Sequence, residues 1–241
     1  MAPAAASPKP AWPVPRLLFK VNDMDSPGAR KFFKHVNPSE ALHAAVLDVF
    51  VWLYTAESVP RHVRSVTLIL RSMDGVAYTT GSDLDEDHKE IHFSTDYIAN
   101  VSDAQGTAEL KGVITHEMVH CFQYNALGTC PGGLIEGVAD YVRLRAGYVP
   151  PHWHRGGERW DEGYQNTGYF LDYLERKHGE GTVRAINACL AEETYDDAVF
   201  KKVCGHSVDK LWKRYKKWVA GDPDDEEKET SADKDRDEKA A

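Results

Sequence analysis

His116 and His120 stand four residues apart in a segment that has the apolar spacing of a helix. The segment runs from about residue 107 to residue 124, and its apolar stripe consists of Leu110, Ile114, Met118 and Phe122. On a helix, residues at this spacing project from the same face about one turn apart. The two imidazoles are therefore predicted to face one common point, which limits how the chain can fold around them.

Glu117 follows the first of these histidines directly. Zinc in proteins prefers nitrogen ligands in a tetrahedral shell, and a catalytic zinc keeps one position open for water. A glutamate beside the first histidine can reach that water as a general base. The five-residue pattern alone is only moderately specific, since a solvent-facing helix with two ordinary histidines would also contain it.

A catalytic zinc site needs a third protein ligand. One solution places a glycine three residues after His120 and a histidine six residues after it. Those positions hold Gln123 and Ala126, so this arrangement is excluded. A glycine- and proline-containing loop is instead followed by a predicted helix from about residue 134 to residue 145. Glu136 and Asp140 share a face of this helix, so Glu136 is predicted to bind zinc, and Asp140 to accept a hydrogen bond from a ligand histidine.

The remaining pattern predicts an α+β fold, with strands and one helix before the histidine segment and a helical part after it. Turns are expected at residues 26–28, 73–75 and 81–83. Ser39 is the expected cap of the first helix. The predicted strands are 17–21, 66–70 and 89–94; the other predicted helices are 39–54, 163–177, 181–192 and 208–219. Residues 91–94 are also a candidate edge strand for pairing with an extended substrate.

Charge and composition divide the chain into three parts. The formal net charge is −9, and residues 222–241 contribute −6 of it with ten acids and four bases. We predict a disordered leader at residues 1–15, one domain at 16–220 and a disordered acidic tail at 221–241. An acidic chain without a long apolar run is not expected to bind nucleic acid or to enter a membrane. No signal peptide is visible, which predicts an intracellular protein; an incomplete N-terminus would leave an extracellular location open.

The stretch from residue 116 to residue 148, HEMVHCFQYNALGTCPGGLIEGVADYVRLRAGY, resembles the signature of the basic secretory protein family. Residues 160–164, 170–173 and 211–215 resemble that family too, although this chain is acidic. The resemblance implies a zincin-like fold, with a small mixed sheet packed on the histidine helix and a helical C-terminal lobe. It also implies zinc peptidase chemistry on a peptide or protein substrate.

Hydrolysis of an amide also needs a donor that stabilises the oxyanion. Tyr164, in a segment rich in tryptophan and glycine, is the first choice, and Tyr141, Tyr169 and His154 are alternatives. His152 and His154 are otherwise expected to be surface residues of a loop. Residues 210–217 are expected to form a packed terminal helix with a basic outer face.

Three functions fit this sequence. The first is a zinc peptidase with Glu117 as its general base. The second is a catalytically silent zinc-containing protein of the same fold that acts by binding, for example in defence. The third is a zinc hydrolase of non-peptide amides or esters. The intact Glu117 favours hydrolysis, because a structural zinc site needs no base.

Overall fold

The computed structural model describes residues 12–221, and this part of the chain contains four strands and nine helices. The α+β class predicted from the sequence is confirmed. The described residues divide into two compact units. One consists of the residues up to 123 together with 145–149, and the other of residues 124–144 together with those from 150 onward. Most of the predicted leader and tail lies outside the described residues, which include only residues 12–15 and Gly221 of these two segments.

The first unit contains a four-stranded mixed sheet. Its strands are β1 (Arg16–Val21), β2 (Ser65–Arg71), β3 (Ala77–Gly81) and β4 (His88–Ser94), arranged in the order β1-β2-β4-β3. β1, β2 and β4 are parallel, whereas β3 pairs antiparallel with β4. Two predictions were wrong here. Gly81, which was expected in a turn, ends β3, a strand that was not predicted. β4, which contains the candidate edge residues 91–94, is an inner strand, and β3 is the edge strand on that side.

Four helices complete the first unit: α1 (Pro27–His35), α2 (Pro38–Leu53), α3 (Thr95–Asn100) and α4 (Gly106–His120). The expected turn at residues 26–28 is the start of α1, because Ser26 caps the backbone N–H of Ala29 and a proline occupies the first turn. Asn37, and not Ser39, caps α2 by accepting from the N–H groups of Ser39 and Glu40.

Helix α4 is buried on nearly all sides within this unit. The predicted apolar stripe is confirmed, since none of Leu110, Ile114, Met118 and Phe122 is more than 3% exposed. The face that carries His116 and Glu117 is buried as well, and α4 contacts α1, α2, β3 and β4. The helix ends at His120, earlier than predicted, because the N–H of Cys121 bonds to the carbonyl of Met118 in a tighter turn.

The described part of the second unit is helical. It contains α5 (Gly132–Arg145, whose last residue belongs to the first unit), α6 (Tyr164–His178), α7 (Thr182–Cys189), α8 (Ala198–Cys204) and α9 (Val208–Val219). Buried aromatic rings join α6, α8 and α9, and these are Phe170, Tyr173, Phe200, Trp212 and Tyr215. The packed character predicted for the terminal helix is thereby confirmed. Within residues 12–221, no helix has both the length and the apolar character needed to cross a bilayer.

Glycines allow α5 to approach α6 and the loop before it within the second unit. A Cβ at Gly137 would collide with the side chain of Thr167, and one at Gly133 would collide with the carbonyl of Asp161. A Cβ at Gly168 would lie 3.2 Å from Cβ of Asp140. The lack of side chains at these glycines lets the two backbones approach closely. This close packing holds α5 in one position along α6.

Replacing Gly137 with alanine should force α5 away from α6. We expect Gly137→Ala to lower the free energy of unfolding of the metal-free protein by about 1–3 kcal/mol, the usual cost of overpacking. Urea denaturation followed by circular dichroism measures this change.

Gly132→Ala is the matched control, because the same helix begins there and a Cβ at Gly132 would meet no atom within 4 Å. Alanine should leave stability unchanged or raise it by up to about 1 kcal/mol through its better helix propensity. Equal stability of the two variants would contradict the close packing assigned to Gly137.

Candidate metal centre

The two histidines of α4 direct the same ring nitrogen at each other. Nε2 of His116 lies 3.1 Å from Nε2 of His120, and the ring planes are 84° apart. His116 is 8% exposed, and His120 is half-buried. Two imidazoles with their Nε2 atoms converging can donate two lone pairs to one ion.

Glu136 completes a group of three side chains that could hold a metal ion. One ligand atom each from His116, His120 and Glu136 can be chosen so that all lie within 4.8 Å of one another. Tetrahedral zinc with ligands at about 2.0–2.1 Å separates them by about 3.3 Å. Two nitrogens 3.1 Å apart and a nearby carboxylate fit that ion, and the donor set of two imidazoles and one carboxylate suits zinc.

The carboxylate of Glu117 is held by the edge strand of the first unit. Thr79 Oγ1 lies 2.7 Å from Oε2 of Glu117 and 2.9 Å from its backbone carbonyl oxygen. Thr79 is paired with Ile91 on β4, so its side chain is on the inner face of the sheet, toward α4. Glu117 is only 6% exposed, and its carboxylate therefore depends on such a donor. Thr79 was not predicted from the sequence, since a contact across 38 residues has no local signal.

The two predicted acidic residues of α5 differ in their surroundings. Glu136 is half-buried, whereas Asp140 is 3% exposed and lies against Gly168 of α6. A Cβ built at Gly163 would be 3.5 Å from Cβ of Glu136, so the start of α6 reaches Glu136 within the second unit.

Tyr164 is the residue directly after Gly163. Its side chain is 59% exposed, and its backbone has a positive φ of 45°. That conformation is uncommon for a residue with a Cβ. Tyr164 is therefore an exposed tyrosine that directly follows the glycine lying close to Glu136.

The alternatives to Tyr164 lie in other environments. Tyr141 is fully buried in the core. Tyr169 is partly buried, with the ring of Trp153 and the guanidinium of Arg155 beside it. His152 and His154 are both exposed, as expected for surface residues.

Cys121 and Gln123, which follow His120, each lie close to a residue of the histidine–glutamate motif. Burial raises the pKa of the Cys121 thiol, and the neighbouring Glu117 carboxylate raises it further, so this sulfur stays protonated and is a poor metal ligand. Gln123 Nε2 lies 2.8 Å from Nδ1 of His120. No role was predicted for Gln123 from the sequence, although its spacing of three residues from His120 would place the two side chains on one face of a helix.

Comparison with known proteins identifies the family. A family model described as BSP, peptidase of plants and bacteria, matches residues 14–215 of the 241 in the chain. No curated protein and no solved structure gave a match. The match includes the strands of the sheet, the histidine helix and the helices of the second unit as far as residue 215. The chain therefore belongs to the BSP family of plant and bacterial peptidases.

Proposed function

We propose that the chain is a zinc-dependent peptidase of zincin-like fold, with His116, His120 and Glu136 as the zinc ligands. The grouping of these three side chains around one point, with Glu117 next to the first of them, carries the proposal. Three protein ligands leave the fourth position of a tetrahedral shell open, as catalysis requires. The family description supports peptide or protein substrates.

Glu117 is the proposed general base. When bound, zinc would acidify a water molecule and polarise the scissile carbonyl. Glu117 takes the proton from the attacking water and later delivers it to the leaving amine. Burial removes competing solvent from this carboxylate, and Thr79 fixes its orientation.

Tyr164 and Asp140 are the proposed supporting residues. The phenol of Tyr164 donates a hydrogen bond to the oxyanion that forms on the scissile carbonyl. Its exposure and its place after Gly163, where an added Cβ would lie 3.5 Å from Cβ of Glu136, support this role. Asp140 accepts a hydrogen bond from a ligand histidine, a role that its burial on the helix of Glu136 supports.

Replacing Glu117 with glutamine tests the proposed chemistry. Glutamine keeps the shape of the side chain and cannot accept a proton, so Glu117→Gln should lose turnover of a mixed peptide library while it retains about one zinc per chain. Mass spectrometry of the digest and elemental analysis of the protein measure the two quantities.

Glu109→Gln is the matched control, because Glu109 lies at the other end of α4 and accepts a hydrogen bond from the hydroxyl of Tyr97. It should cleave like the wild type. Zinc bound by the wild type without cleavage of any peptide would favour the silent binding protein. Loss of zinc from Glu117→Gln would contradict the proposal that Glu117 acts as the base and is not a zinc ligand.

Thr79→Val removes the hydroxyl that orients Glu117 and keeps the β-branched shape. A hydrogen bond to a charged group contributes about 1.5–3 kcal/mol, so we expect kcat to fall by about tenfold to a hundredfold. KM and zinc content should change little, because Thr79 contacts the base and not the ligands.

Thr79→Ser is the rescuing variant, since it restores the hydroxyl and should recover most of kcat. Steady-state kinetics on a peptide found in the library digest measures the series. If the serine variant is as slow as the valine variant, the loss of kcat comes from a change in strand β3 and not from the loss of the hydroxyl.

A further inference from the structure

Gln123 lies three residues after His120, the second proposed metal ligand of α4. Its carboxamide nitrogen lies 2.8 Å from Nδ1 of His120. Its carboxamide oxygen is buried and has no hydrogen-bond partner among the described residues. The amide thus has one end against the histidine and a buried acceptor that nothing satisfies, which is an unfavourable arrangement for a carboxamide.

The position of the two histidines decides which end of the amide should face His120. Its Nε2 is the nitrogen that converges with Nε2 of His116, so Nε2 is the atom that would bind an ion. A neutral imidazole that coordinates through Nε2 carries its proton on Nδ1 and donates it to an acceptor. The amide nitrogen of Gln123 is only a donor, so two donors would face each other at this contact.

A half-turn of the carboxamide removes the conflict. The oxygen and nitrogen of a glutamine amide have nearly the same shape, and their assignment follows from the hydrogen bonds that they make. After the exchange, the oxygen accepts from Nδ1–H of His120, and the nitrogen moves to the place where the oxygen finds no donor. One rotation therefore satisfies the buried acceptor and fixes the tautomer that metal binding needs.

We propose that Gln123 is a positioning residue for zinc, whose carboxamide oxygen accepts from Nδ1 of His120 and so directs Nε2 of that histidine to the ion. The inference depends on the proposed zinc site and not on peptide hydrolysis. It differs from the role predicted for Asp140, because Gln123 belongs to the same segment as the histidine that it orients. The turn after α4, in which the N–H of Gln123 bonds to the carbonyl of Val119, keeps the two side chains adjacent.

The test measures the affinity of the full chain for zinc itself. Competition with a chromophoric chelator at constant pH gives the Kd of the wild type, of Gln123→Leu and of Gln123→Glu. We expect the leucine variant to bind zinc about 10–100-fold more weakly, the usual loss when the partner of a ligand histidine is removed. The glutamate variant keeps an acceptor at the same distance along the side chain and should bind within a few-fold of the wild type.

Gln105→Leu is the matched control, because Gln105 is an exposed glutamine of the same unit whose side chain makes no capping bond. It should leave the Kd unchanged. Thermal unfolding of each metal-free variant shows whether a loss of zinc affinity comes from the orientation of His120 or from a general loss of stability. If the leucine variant does not fold, Gln123→Met replaces it, since methionine keeps the unbranched shape without the amide oxygen.

The inference would be overturned if Gln123→Leu bound zinc as tightly as the wild type, or if the leucine and glutamate variants lost affinity equally. It would also be overturned if the loss of zinc affinity in Gln123→Leu were fully explained by a loss of stability of the metal-free protein. A wild type that binds no zinc would overturn it as well. The peptidase proposal can fail separately. If Gln123→Leu binds zinc more weakly but the wild type cleaves no peptide, the role of Gln123 is supported and the proposed peptide hydrolysis is contradicted.

Discussion

Two imidazole nitrogens 3.1 Å apart on a mostly buried helix are the contact on which the rest of the site depends. Converging polar atoms in such a place are costly unless neighbouring groups satisfy them. The first unit supplies two neighbours, since Thr79 reaches Glu117 and Gln123 reaches His120. The packing of α4 against α2 and the sheet thus does more than form a core. It also gives Glu117, the proposed base, and His120, a proposed ligand, each a polar partner at hydrogen-bond distance.

The second unit shows how backbone packing can hold an acidic side chain. Glycines at 133, 137, 163 and 168 let α5 and the start of α6 approach more closely than side chains would permit. Glu136 and Asp140 lie on the helix that this packing immobilises. The backbone of such a helix is already ordered before an ion binds, and this lowers the entropy cost of binding.

Local patterns predicted much of this structure, and contacts between distant segments account for most of what they missed. The spacing of apolar residues identified the buried helix, and the spacing of His116, His120 and Glu136 identified the group that could hold a metal. The strand that carries Thr79 is only five residues long and lies between two groups of turn-forming residues, so its sequence carries too weak a signal to be predicted as a strand. Its pairing with β4 and its contact with Glu117 exist only after the chain has folded.

X-ray absorption at the zinc K edge of the loaded protein tests the central claim most directly, because it reports the atoms that surround the ion. The account predicts about four nitrogen or oxygen neighbours at about 2.0–2.2 Å, with the multiple-scattering pattern of two imidazoles. Substituting Glu136 with alanine should remove one light neighbour or replace it with water, and leave both imidazoles. A sulfur neighbour at about 2.3 Å, or a spectrum without two histidines, would contradict the proposed ligands.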